Sequence, residues 1–166
     1  NGIGIVGVAP GVRIWNVQCW GPPPLNTWIN FVQGVEYVVQ NADRISVVNL
    51  SLSNEGCAPI SAIRGATRNL VRSGIVVVAG AGNFTNDLAG PDKIYGTCDD
   101  ALPASSPYSM AVSGMDASIY APGGVPRDQF GVFSQYSQVP RTSDSNPIWA
   151  TNFVISPGGA MDVAAP

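Results

Sequence analysis

Apolar residues recur with the spacing of an α-helix in two segments of the 166-residue chain. The first segment covers residues 26–42, where Asn26 or Thr27 is expected to cap the helix. One face of this helix carries Trp28, Val32, Val35 and Val39. The second segment covers residues 60–74 and is ended by Gly74. Its inward-facing positions are Ile63, Ala66, Leu70 and Val71.

Other segments are nearly continuous runs of apolar and β-branched residues, as is typical of buried strands. We predict strands over residues 12–20, 45–53, 75–81 and 108–116, and two shorter ones over 129–137 and 159–165. Such strands, alternating with helices, predict an α/β fold with a parallel sheet covered on both faces. The length suits one domain over residues 1–166. A Gly-, Pro- and Asp-rich stretch over residues 84–107 predicts a long ordered surface loop.

Two of the predicted strands end in small and polar residues. In parallel sheets ligands bind beyond the carboxyl ends of the strands, so residues 51–53 and 81–83 are expected to border one cleft. The amide of Asn83 carries two N–H donors and no charge, which suits it to stabilise a developing oxyanion. The alternative is that Asn83, which follows a glycine, is a turn residue. Residues 83–85 and 49–51 also match the N-glycosylation sequon, but a cleft or a buried strand leaves no room for a glycan.

Composition excludes several classes of function. Eight Lys and Arg against eleven Asp and Glu give a net charge of −3 and a pI near 4.6, so we expect no nucleic-acid partner. The longest apolar run is far shorter than the roughly 20 residues that cross a bilayer, so we expect no membrane partner. The chain contains no histidine and therefore supplies no imidazole base. It begins with Asn1 and stops after an apolar run, which is what we expect of a fragment.

Five segments occur together in an order that resembles the subtilisin-like serine proteases. They read GIGIVGVAPGVRI, VVNLSLS, SGIVVVAGAGN, YSMAVSGMD and MDVAAP. The resemblance implies a three-layer, doubly wound, mostly parallel α/β sheet, incomplete at both ends of this chain. It also implies a serine endopeptidase that cleaves polypeptides through an acyl-enzyme. The family's Asp, His and Ser triad motifs would lie outside the chain, so this stretch alone is expected to be inactive.

The resemblance assigns roles to individual residues. Asn83 matches the family's oxyanion-hole Asn, and a polypeptide substrate would pair along the matching strand as an added strand. That strand and the opposite pocket wall are Ser51, Leu52 and Ser53, and Ala81 and Gly82. Asn1, Ile3 and Ile5 match positions where many relatives hold calcium. Residues 21–26 depart from the family pattern because their prolines lack backbone donors for substrate pairing.

Acids and cysteines raise further hypotheses. Asp92, Asp99 and Asp100 could bind calcium through carboxylate oxygens, although their spacing also fits solvated turn acids. Cys57 and Cys98 follow neighbouring strands, and relatives carry cysteines at similar places, so we expect a disulfide between them. Cys19 is expected in the core. Residues 2–7 match G-x-G-x-x-G, but no strand precedes them, which disfavours a nucleotide site.

Two other functions remain open at this stage. A catalytically inactive relative would use the same sheet as a binding or scaffold module, and an unrelated α/β domain would bind a nucleotide. The resemblance favours a secreted or extracellular protein, and we expect a monomer, while the sequence leaves open whether it is made with a propeptide. We expect the chemistry to need no cofactor, while a calcium ion would have a structural role.

Overall fold

The computed structural model describes residues 7–23, 27–54, 56–116, 129–130 and 163–165. These residues form two helices, α1 over Trp28–Gln40 and α2 over Ile60–Arg72. The strands are β1 over Val47–Leu50, β2 over Val76–Gly80, β3 over Met110–Asp116, β4 over Gln129–Phe130 and β5 over Val163–Ala165. The predicted alternation of strands and helices is confirmed from α1 to β2, whereas a loop without a helix joins β2 to β3.

The strands form one mostly parallel sheet. β1 pairs in parallel with β2, with Val47 opposite Val76 and Leu50 opposite Ala79. β2 and β5 both pair in parallel with β3, whereas β4 is antiparallel to β3. Neighbouring parallel strands end at the same edge of a sheet. The chain therefore leaves β1 and β2 side by side, as the sequence predicts.

Each helix begins or ends where its local sequence indicates. Thr27 caps α1, because its hydroxyl oxygen accepts a hydrogen bond of 3.4 Å from the backbone N–H of Asn30. Gly74 follows the last turn of α2 with a φ of +81°, a conformation that favours glycine. All four inward positions predicted for α2 are buried. The buried residues of α1 are Phe31, Val35 and Val38, whose centre lies about 60° around the helix from the predicted stripe. Of the predicted residues Val35 is buried, and Trp28, Val32 and Val39 are partly buried.

One face of the sheet is covered in the described part of the chain. α1 and α2 pack against each other, and the core beneath them includes Val77 and Ala79 of β2. The side chains that alternate with these point to the other face, where Val47 is 56% exposed and Val76 is 42% exposed. The described residues thus hold one helical layer on a parallel sheet. Among them, neither helix is long and apolar enough to cross a membrane.

Residues 12–20 do not form the predicted strand. They cross the outside of α1 instead, where Trp15 makes an edge contact with Tyr37 at 6.0 Å and Trp20 makes one with Trp28 at 5.1 Å between ring centroids. Trp15 and Trp20 thus contact the helix, whereas Val12 and Ile14 are 63% and 89% exposed. Aromatic packing of this kind competes with strand pairing and is not visible in an apolar run.

Residues 84–107 form an ordered loop, but the prediction that it lies on the surface is wrong for much of its length. Leu88, Leu102 and Ala104 are fully buried and belong to the core or lie against it. The small residues of this stretch let its backbone enter the interior, where Ala101 donates a hydrogen bond of 2.9 Å to the carbonyl of Leu88. The strands predicted over 129–137 and 159–165 are described only as β4 and β5.

Candidate active site

The ends of β1 and β2 meet as the parallel register requires. Leu50 lies opposite Ala79, so Ser51 follows beside Gly80. A Cβ atom added to Gly80 would lie 4.0 Å from the Cα atom of Ser51. This ordinary contact distance places the backbones of Gly80 and Ser51 side by side, where they border one space.

That space is a cleft of about 250 Å³. All six residues predicted to bind substrate or an oxyanion line it: Ser51, Leu52, Ser53, Ala81, Gly82 and Asn83. Four lining residues were not predicted, namely Gly80, Phe84, Val112 and Gly114. Val112 and Gly114 come from β3, whose place beside β2 could have suggested them. The described lining contains no charged side chain.

The backbone after β2 is bent so that Asn83 reaches the cleft. The N–H of Ala81 donates a hydrogen bond of 2.8 Å to the carbonyl of Val112, so Ala81 is still held against β3. Gly82 then adopts a φ of +109°, which L side chains rarely adopt. Asn83 is exposed, and no partner for its amide is found among the described residues. Its two N–H groups are therefore available to an incoming oxygen.

The opposite wall of the cleft offers backbone and hydroxyl groups. Ser51 is exposed, and its hydroxyl oxygen accepts a hydrogen bond of 2.9 Å from the amide of Asn49. The hydroxyl of Ser53 is buried and has no partner within the described ranges. In those ranges β1 pairs on one side only, with β2. Its other edge leaves backbone donors and acceptors that an extended polypeptide can pair with.

Covalent and hydrogen-bonded links join the segments that follow the two walls. The predicted disulfide between Cys57 and Cys98 is confirmed, with an S–S distance of 2.06 Å. Beside it, the N–H of Ala58 donates a hydrogen bond of 2.7 Å to the carbonyl of Cys98. Cys19 is a free, half-buried thiol whose pKa is raised by burial.

The three acids of the suggested calcium site take part in hydrogen bonds within their own loop, and the site itself stays a prediction. Within the described ranges, no group of three or more His, Cys, Asp or Glu residues could hold a metal ion. The carboxylates of Asp92, Asp99 and Asp100 instead accept hydrogen bonds from the loop itself. Local hydrogen bonding of this kind is the usual use of Asp in turns. Asn1, Ile3 and Ile5, the other predicted calcium ligands, lie outside the described residues.

Two of these carboxyl groups have altered proton affinity. The hydroxyl of Thr97 donates a hydrogen bond of 2.6 Å to Asp99 and holds the pKa of that carboxyl below its usual value. Burial raises the pKa of Asp100 to about 6, against a hydrogen bond of 3.0 Å from the N–H of Gly96 and the charge of Arg64. Asp100 is fully buried, and its second carboxylate oxygen has no partner among the described residues.

Comparisons with known proteins agree with this geometry. The model of the subtilase family, peptidase S8, matches residues 1–160. Subtilisin DY from Bacillus licheniformis is 36% identical over 118 residues, which cover 71% of this chain and 39% of that protein. Subtilisin E from Bacillus subtilis strain 168 is 30% identical over 118 residues, which cover 71% of this chain and 28% of that protein. The chain thus spans well under half the length of these relatives.

Solved structures show the same fold. A crystal structure of a lanthipeptide protease matches with a TM-score of 0.60 at 18% identity, over 78% of this chain and 37% of that chain. An S41 psychrophilic protease matches with a TM-score of 0.57 at 18% identity, over 88% of this chain and 40% of that chain. At this level of identity the likeness concerns the arrangement of helices and strands alone.

Proposed function

The chain belongs to the subtilase family, and from this premise we propose that it supplies the oxyanion hole and the substrate-binding strand of a serine endopeptidase. Family membership supports a function of the serine-protease type. One observation carries the finer assignment: Asn83 and residues 51–53 line the same cleft. Peptide-bond hydrolysis needs these two elements together, because the strand holds the substrate where the amide can reach its carbonyl oxygen.

Asn83 would act on the transition state. When a serine oxygen attacks the scissile carbonyl, negative charge develops on the carbonyl oxygen of the tetrahedral intermediate. A neutral amide can donate a hydrogen bond to that oxygen without competing for the proton that is being transferred. The bend at Gly82 and the lack of a partner for Asn83 among the described residues support this role.

The substrate would be an extended polypeptide. Its backbone would pair along residues 51–53 as an added strand, with Ala81 and Gly82 forming the opposite wall. Small side chains on both walls permit the close approach that this pairing needs. We expect side chains of the substrate to enter a cleft whose described lining is uncharged.

The remaining catalytic groups must come from outside this chain. Its 166 residues contain no histidine, so the general base of a Ser-His-Asp triad cannot be one of them. The nucleophilic serine and the orienting aspartate are assigned to the same outside part, and the chain alone would be inactive.

The exposed disulfide fits a secreted or extracellular protein. A propeptide, a monomeric state and a structural calcium ion at Asn1, Ile3 and Ile5 remain proposals.

The test is the substitution Asn83→Ala in the full-length protein. We expect kcat for a peptide substrate to fall about 10²- to 10³-fold with KM little changed, a magnitude taken from subtilisin itself. The matched control is Asn69→Ala, because Asn69 is exposed on α2 and away from the cleft lining. Equal kcat values for Asn83→Ala and the parent would refute the assignment. A parent protein that binds peptides without cleaving them would indicate the inactive binding module instead.

A further inference from the structure

Asn54 comes directly after the strand end that lines the cleft. Its side-chain oxygen accepts a hydrogen bond of 2.7 Å from the backbone N–H of Leu102, which lies 48 residues further along the chain. Its side-chain N–H donates a hydrogen bond of 2.6 Å to the carbonyl of Gly56. Asn54 is half-buried and does not line the cleft itself.

The residue that donates the hydrogen bond to Asn54 lies in the hydrophobic core. Leu102 is fully buried and belongs to the main hydrophobic cluster. A buried backbone N–H that loses its acceptor is costly, so this hydrogen bond strongly favours one position of Asn54. Leu102 also belongs to the loop that starts immediately after Asn83. The hydrogen bond therefore ties the wall formed by residues 51–53 to the segment that continues from the other wall.

Among the described residues, a disulfide and a backbone hydrogen bond also join these segments, and neither involves a residue that lines the cleft. They are the disulfide at Cys57 and the hydrogen bond from the N–H of Ala58 to the carbonyl of Cys98. Between Ser53 and these links the chain passes through Gly56, whose φ of +86° favours glycine and whose added Cβ would meet nothing within 4 Å. Asn54 is directly next to Ser53, whereas these links begin three residues further along the chain, at Cys57.

We propose that Asn54 is a positioning residue that holds residues 51–53 where they can pair with an extended polypeptide. This inference rests on the proposed function of the cleft. Asn54 touches neither the cleft nor the oxyanion position, so it acts through the strand that it anchors. Substitution of Asn54 should therefore raise KM and leave kcat unchanged.

The expected magnitude follows from the population of the anchored strand. Without the Asn54 side chain the strand end has other positions to occupy, and substrate must select the competent one. If that position is occupied about one-tenth of the time, KM rises about tenfold, while kcat is unchanged because bound substrate restores the position. A substrate too short to pair with residues 51–53 should not show the increase.

The experiment compares Asn54→Ala, Asn54→Asp and the control Asn69→Ala in the full-length protein. Each is assayed with a peptide amide that extends over four residues on the acyl side and with a single-residue ester. We expect Asn54→Ala to raise KM about tenfold for the long substrate only. Asn54→Asp keeps an acceptor for the N–H of Leu102 but loses the donor to the carbonyl of Gly56, so it should bring KM closer to the parent value than Asn54→Ala does. Hydrogen exchange at the amide of Leu102 should be faster in Asn54→Ala and near the parent rate in Asn54→Asp.

Several outcomes would overturn the inference. An unchanged KM in Asn54→Ala, an equal rise for both substrates, or a fall in kcat alone would each do so while leaving the role of Asn83 intact. If Asn54→Ala fails to fold, Asn54→Ser is used in its place. The hydroxyl oxygen of serine lies one bond closer to the backbone than the amide oxygen of asparagine, so it does not reach the N–H of Leu102 in the same way. If the parent cleaves nothing, affinity for the same long peptide is measured instead. A tenfold loss of affinity then supports the positioning role without peptidase activity, and a parent that binds no peptide refutes both proposals.

Discussion

Removal of the disulfide between Cys57 and Cys98 should lower the free energy of unfolding by about 4 kcal/mol at 25 °C. The two cysteines are separated by 41 positions, so their bond closes a long loop in the unfolded chain. Closing a loop of that size costs the unfolded state about 13 cal/mol/K of entropy in the chain-entropy description. In the folded state the two segments stay joined by the 2.7 Å hydrogen bond from Ala58 to Cys98. The loss should therefore arise mainly in the unfolded state.

The assay is urea unfolding of the full-length protein, followed by tryptophan fluorescence, after covalent inactivation to prevent self-digestion. The test variant replaces both Cys57 and Cys98 by alanine, so that no new thiol is left to react. Cys19→Ala is the control because Cys19 makes no disulfide. The double variant should also show a larger m-value, because its unfolded state is less compact. A loss below about 1 kcal/mol with an unchanged m-value would refute the entropic reasoning.

Two further substitutions test the loop that follows Asn83. Gly90→Ala should destabilise the protein by about 2 kcal/mol or more in the same urea assay, because Gly90 has a φ of +71° and its new Cβ would lie 2.6 Å from the backbone oxygen of Asp99. The control is Gly65→Ala in α2, whose new Cβ meets nothing within 4 Å and which should stabilise the protein by about 0.5–1 kcal/mol. Equal changes in the free energy of unfolding for the two variants would contradict the packing described. Asp100→Asn should remove a pH dependence of stability. The buried carboxyl of Asp100 has a pKa raised to about 6, so it binds a proton more tightly in the folded state than in the unfolded state. The stability that it confers is therefore complete below about pH 4 and is lost as the pH rises through 6. Urea unfolding at pH 4 and 7.5 should show the parent losing about 1–3 kcal/mol relative to Asp100→Asn over that interval, and parallel pH profiles would refute the assignment.

The features that the sequence predicts correctly depend on short-range patterns. The inward face of α2 follows from helical spacing over a few turns, and all four of its predicted residues are buried. The cleft follows from a general property of parallel sheets, since two neighbouring strands end at one edge. Asn83 could be placed there because it stands three residues after the apolar strand β2 ends at Gly80. The disulfide needed the family resemblance as well as the strand order.

The features that the sequence predicts incorrectly or not at all depend on contacts between distant segments. Residues 12–20 have an apolar strand-like pattern, but their tryptophans pack on α1. Residues 84–107 have a polar composition, yet Leu102 is fully buried. The hydrogen bond between Asn54 and Leu102 spans 48 positions, and no local pattern marks either partner. The composition of a loop indicates how exposed its residues are on average. It does not indicate which of its backbone groups form hydrogen bonds with residues far away in the sequence.

The central claim is that the amide of Asn83 stabilises the oxyanion formed during peptide-bond cleavage. It is tested most directly by the affinities of the full-length parent and of Asn83→Leu for two matched ligands. One ligand is a peptide boronic acid, which forms a tetrahedral adduct with a catalytic serine, and the other is the same peptide as an unreactive amide. We predict that Asn83→Leu binds the boronic acid about 10²-fold more weakly and the amide equally well, since only the tetrahedral adduct places an anionic oxygen at the amide. Equal changes for both ligands, or no change for either, would contradict the claim.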